Sequence, residues 1–94
     1  MHAVIRTYSG EGTSELFEAL GQNEEDVKEL ITGVPGFISY AAFMVDDTGV
    51  TVTVCEEKEG TDESSKRAAE WVKENVDTKV DPPTLTEGDT VLQF

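Results

Sequence analysis

The sequence predicts an α+β fold in the order β-α-β-β-α-β, a four-stranded antiparallel sheet with two helices on one face. Three observations predict it. Apolar residues recur at helical spacing in two stretches, Leu16 to Ile31 and Ala68 to Val76. The other apolar segments are rich in β-branched and aromatic residues, and VTVTVCE (Val50 to Glu56) alternates with a period of two. Only Asp46 to Gly49 separates the two middle apolar segments, which suits a hairpin.

The first strand, HAVIRTY from His2 to Tyr8, is stopped by Ser9-Gly10-Glu11-Gly12. A helix is expected from Thr13 to Thr32 on the stripe Leu16, Leu20, Val27 and Ile31, widened by Phe17 and Leu30. Gly21 and Asn23 offer an interruption, since glycine costs roughly 1 kcal/mol in a helix and asparagine can cap a new start. Gly33 is placed to end the helix, and Pro35-Gly36 forbids its continuation. The hairpin follows, with Asp46 and Gly49 expected at the first and fourth positions of a type I turn. Thr61 is expected to cap the second helix, with Asp62 and Glu63 in its first turn and Ala68, Val72 and Val76 on its buried stripe. These elements make one domain: a core of residues 1–76, a proline-stiffened linker over 77–83, and a C-terminal segment 84–94 holding a fourth strand from Asp89 to Phe94.

Charge narrows the partners. Twenty acidic residues against seven basic ones give a net charge of −13, which repels phosphate backbones and anionic lipid, so neither nucleic acid nor membrane is expected. The carboxylates are interspersed with apolar positions, as on the coat of a folded domain. Such a coat suits a source rich in salt, where screening relieves self-repulsion, and equally an ordinary acidic protein of the cytosol. The lone cysteine, Cys55, allows no intrachain disulfide and leaves too few thiolates for structural zinc. With no membrane-length apolar run and no signal-peptide layout in MHAVIRTYSG, a cytoplasmic location is expected.

The second strand is apolar on both faces. Phe37, Ala41, Phe43 and Val45 point one way, while Ile38, Tyr40, Ala42 and Met44 point the other. Two helices cover one face of the sheet and leave the other as an apolar patch. A second copy would cover it, so a homodimer is expected with Ile38, Tyr40 and Met44 in an interface on the order of 1,200 to 2,000 Å².

With this element order, the Pro35-Gly36-Phe37 step into the second strand and the short acidic hairpin, the chain resembles the dimeric α/β-barrel superfamily of antibiotic-biosynthesis monooxygenase-like (ABM-like) domains. The likeness covers about Met1 to Val76. It implies two sheets closing a barrel around a cavity, with C-terminal segments often reaching across the partner. The superfamily includes cofactor-independent oxygenases, haem-degrading enzymes, small decarboxylases and dehalogenases, and proteins of no established activity. The haem-degrading branch uses a histidine on the second helix, and Thr61 to Val76 contains none.

If the valines of the third strand face the helices, Thr51, Thr53 and Cys55 face the space between the sheets. Arg6, Tyr8 and Tyr40 are expected to join them there as ligand-pocket residues. Such a pocket could bind a small aromatic or anionic molecule, with Arg6 holding a carboxylate or enolate. The same residues also read as purely structural, with Arg6 paired to an acid of the other subunit and the tyrosines packing the interface. His2 is expected at the surface near the chain end, Cys55 as an inert half-buried thiol, and Trp71 in the core. Asp46-Asp47 and Glu56-Glu57 lack the spacing of a calcium loop, and no phosphate loop, hydrolase elbow or zinc motif is present, so no metal or tightly bound cofactor is expected. The function expected is binding of a small organic ligand or an accessory role; the alternative is a cofactor-independent monooxygenase or isomerase acting between the sheets.

Overall fold

The computed structural model describes Met1–Phe94. Its elements are β1 (His2–Tyr8), α1 (Thr13–Gln22), α2 (Glu24–Thr32), β2 (Phe37–Val45), β3 (Thr48–Cys55), α3 (Lys58–Asn75) and β4 (Thr84–Asp89). The sheet runs β2-β3-β1-β4 with every neighbouring pair antiparallel, the ferredoxin-like arrangement. No helix is long and apolar enough to cross a membrane.

The first helix is broken at Asn23. Its amide side chain donates to the Ala19 carbonyl at 2.8 Å, which closes α1, while its own carbonyl accepts from the Val27 N–H at 3.0 Å and opens α2. The third helix begins one turn earlier than expected. Thr61 does not cap it; its hydroxyl donates back to the Lys58 carbonyl at 3.0 Å, and Lys58 pairs with Asp62 at 2.8 Å across that added turn.

The hairpin also differs from expectation. Val45 pairs with Thr48, so the turn is the two residues Asp46-Asp47, with Asp46 at φ 53°. Positive φ at the first turn residue belongs to the primed turns that match strand twist, and aspartate tolerates it better than most residues. Gly49 thereby enters β3 opposite Tyr8. A methyl group there would fall inside the Phe17 ring, which instead meets Tyr8 edge-on at 5.9 Å between centroids and 70° between planes.

The fourth strand is Thr84–Asp89 rather than Asp89 to Phe94. It pairs with β1 from Thr7↔Thr84 to His2↔Asp89, and the Thr90 N–H closes the ladder on the Met1 carbonyl at 2.9 Å. His2 is accordingly buried, not a surface side chain. Its Nε2 lies 3.0 Å from Glu87 and its Nδ1 3.5 Å from Asp89. Hydrogen bonding from His2 and then from Lys58 holds the Glu87 carboxyl below the usual carboxylate range. Val91, Leu92 and Phe94, beyond the strand, are exposed.

The core lies between sheet and helices around Tyr8, Leu16, Val27, Ile31 and Trp71. Trp71 therefore sits in the core, as its stripe position implied. The register puts Tyr40 beside Thr53 and Met44 beside Gly49, on the helix side, which removes both from the face assigned to a partner. Ile38 sits at the bulge between Phe37 and Ser39. The face without helices instead carries Ile5, Ala41, Phe43, Val45, Val50 and Val52, with Phe43 and Val45 47% and 54% exposed.

Candidate functional site

Arg6 lies on β1, a central strand, and is 1% exposed. Strand alternation turns His2, Val4, Arg6 and Tyr8 toward the helices. Thr51 is its direct cross-strand partner and Thr53 the diagonal one, so both hydroxyls fall within its reach. Nε donates to Thr51 Oγ1 at 3.1 Å and Nη2 to Thr53 Oγ1 at 3.0 Å. From α3 above, Ser64 Oγ accepts from Nη1 at 3.2 Å and Ser65 Oγ at 3.1 Å. No carboxylate comes within 4.0 Å of the guanidinium. Four hydroxyl oxygens orient the cation, and none of them neutralises it.

This overturns the expected orientation of the third strand. Thr51, Thr53 and Cys55 face the helices, and Val50 and Val52 face away. Arg6 does not reach between the sheets of two subunits, because it is buried within its own protomer beneath Ser64. The physical reason is hydrogen bonding: a buried guanidinium needs acceptors, and of the two faces of β3 the one with Thr51 and Thr53 supplies them, beside Ser64 and Ser65 of α3.

Around the guanidinium the surface is apolar. Arg6, Tyr8, Tyr40 and Thr51 line a small cavity of about 20 Å³, walled by Leu16, Ile31, Trp71 and their neighbours, with room for one water-sized group. Arg6, Tyr8 and Val72 also form part of a cleft of about 340 Å³, whose other wall is Val80, Asp81, Pro82, Pro83 and Leu85 of the linker and β4. That volume suits a small organic molecule. A wider groove of about 630 Å³ between α1, α2 and edge strand β2 meets the small cavity at Leu20, Val27, Ile31 and Tyr40.

Burial raises the Tyr8 phenol above its ordinary value, and the nearby Arg6 charge offsets only part of the rise. Tyr40 is raised for the same reason, against the same opposing charge. Both therefore stay protonated at neutral pH. Cys55 is fully buried, its thiol raised by burial, and its sulfur lies against the space left by the absent side chain of Gly60.

The structure thus gathers Arg6, Tyr8, Tyr40 and Thr51 at one cavity. It keeps Thr53 as a hydrogen-bond partner of Arg6 and leaves Cys55 apart, among the residues lining neither cavity nor cleft. Ser64, Ser65 and the linker wall were missed. Ser64 does carry a signal: it stands four residues before Ala68 on the buried stripe, where a hydroxyl implies a polar partner inside.

This fold is that of ABM-type monooxygenases and of dimeric ferredoxin-like proteins. The chain is similar to a monooxygenase from the gene ActVA-Orf6 of Streptomyces coelicolor, solved in complex with the ligand nanaomycin D. They share 18% identity with a TM-score of 0.69, over 99% of this chain and 89% of that one. SnoaB, a cofactor-independent oxygenase from Streptomyces nogalater, is similar at 14% identity and a TM-score of 0.56, over 99% and 93%. A dimeric ferredoxin-like protein from an uncultured marine organism gives 14% and 0.59, over 99% and 95%. No family model matches the sequence, and no curated protein matches it.

Proposed function

We propose that the cleft over Arg6 binds a small aromatic or enolisable molecule, with an oxygen that is or becomes anionic set against the guanidinium. One observation carries this reading: a buried arginine with no carboxylate within 4.0 Å. Withdrawing an unpaired charge from water costs several kcal/mol even after relaxation. Hydroxyl acceptors recover part of this, and an anionic ligand would recover more. Tyr8, held protonated, supplies a hydrogen-bond donor beside the cation.

The similarity to two oxygenases supports a second reading, in which the bound anion is the reactive species. Arg6 and Tyr8 would stabilise an enolate or phenolate as charge develops, and that anion could react onward without a cofactor as a monooxygenase or isomerase substrate. The working unit in both readings is a cytoplasmic homodimer, its open sheet faces packed together. The apolar patch around Phe43 and Val45 favours the dimer, and a single buried thiol suits a reducing compartment.

para-Nitrophenol tests the site, because its phenolate is coloured and the bound dye can be titrated directly. The wild type should bind the dye and lower its pKa by about one unit, as an opposite charge nearby does. Arg6→Met should abolish the shift. A bound dye that titrates as it does in water, or a dye that does not bind at all, overturns the reading.

A further inference from the structure

We infer that Asp81 is the general base of this site, removing the proton whose departure creates the anion held by Arg6. The inference rests on the reading above, since an acid that ionises inside the cleft must give its proton to something there. Among the side chains lining the cleft, Arg6 is a cation, Ser65 is a neutral hydroxyl, and Tyr8 is kept protonated by its burial. The rest are apolar, apart from Asp81. Asp81 is the one carboxylate among them, the side-chain type that serves as a proton acceptor.

Its placement is built. Gly10 has φ 85°, and the Asp81 Oδ2 lies 2.9 Å from where a Gly10 side chain would begin. Gly12, at φ 86°, has its side-chain space filled by the Lys79 carbonyl. The Ser9 to Gly12 turn therefore receives the linker in the gaps left by two glycines, and Pro82-Pro83 stiffens the far side. Asp81 is exposed where Arg6 is buried, so the two walls of the cleft carry opposite charges with opposite access to water. The step balances without an oxidant. The Asp81 carboxylate takes a proton from a carbon beside the ligand's carbonyl, and the C–H electron pair passes into the enolate. The enolate oxygen is held at Arg6 and Tyr8, and the proton leaves Asp81 for solvent.

The probe is β-tetralone, an aromatic ketone with an acidic benzylic C–H, followed by NMR as it exchanges with heavy water. The wild-type protein should accelerate the exchange. Asp81→Asn should lower the catalysed rate about a hundredfold while the half-saturating ketone concentration moves less than about twofold, and Asp81→Glu should restore part of the rate. A purely structural role would move the half-saturating concentration or the melting temperature instead. Exchange at the wild-type rate in Asp81→Asn, or no acceleration by the wild type, overturns the inference. If para-nitrophenol still binds the wild type with a lowered pKa, that failure belongs to Asp81 alone; if it does not, the Arg6 reading falls and takes the inference with it.

Discussion

Ser64 Oγ accepts from Arg6 Nη1 at 3.2 Å and donates to the Thr61 carbonyl at 2.7 Å, so one buried hydroxyl ties the guanidinium of β1 to the first turns of α3. Hydrogen bonds to a charged group are worth about 1.5 to 3 kcal/mol. Ser64→Ala should therefore destabilise the protein by about that amount. Ser65→Ala, at a half-buried acceptor, should cost less. Urea unfolding midpoints of the two variants check the order.

Tyr8 and Tyr40 both have folded-state pKa values raised above their ordinary 10.0. Their contribution to stability is fully present below the unfolded pKa, near 10, and is lost as pH rises from there through the folded values. Chemical denaturation between pH 9 and about 11 should show stability falling past about 10. Tyr40→Phe should flatten that fall; a slope unchanged in Tyr40→Phe contradicts the assignment.

Gly49→Ala would drive a methyl group into the Phe17 ring and force it from its edge-on contact with Tyr8. Overpacking of this kind costs typically 1 to 3 kcal/mol, so a loss of about 2 kcal/mol is expected. Near-ultraviolet circular dichroism should change in the tyrosine band at the same time.

On the open sheet face, Phe43→Asp would place a charge on the surface expected to meet a second copy. Sedimentation at micromolar concentration should give a dimer for the wild type and a monomer for the variant. A monomeric wild type would remove the dimer from the proposal and leave the Arg6 cleft, which lies on the other side of the sheet.

The net charge of −13 sets an ionic-strength dependence. Screening of self-repulsion should raise the melting temperature as KCl increases from low concentration toward about 1 M. A flat response would mean that the acidic coat is already relieved by its local pairs, such as Lys58–Asp62 and Arg67–Glu63.

Element order was legible because periodicity reports it directly: the stripe of Leu16, Leu20, Val27 and Ile31 and the alternation of Val50 to Cys55 both survive in the structure. The direction of that alternation was not legible. Valines and threonines on opposite faces of β3 suggest valines inward by hydrophobicity alone. The buried guanidinium reverses the choice, and its demand for acceptors is tertiary information. The fourth strand was misplaced for a related reason. Val91, Leu92 and Phe94 look more strand-like than TLTEGD, yet the segment chosen is the one that offers Glu87 and Asp89 to His2. That Arg6, Tyr8, Tyr40 and Thr51 share one face of the sheet could be read from alternation, but that this face lies under the helices could not. The linker wall was not legible either, because nothing local in Asp81-Pro82-Pro83 reports that two distant glycines leave space for it.

The cleft joins chain segments that are far apart in order of synthesis. Arg6 and Tyr8 form its floor, and Val80 to Leu85 close its side. A nascent chain that has released β1 through α3 would therefore present the arginine beneath an unfinished wall, open to water along one flank. Ligand retention should then begin only once β4 has docked beside β1, which makes binding at Arg6 a reporter of that docking.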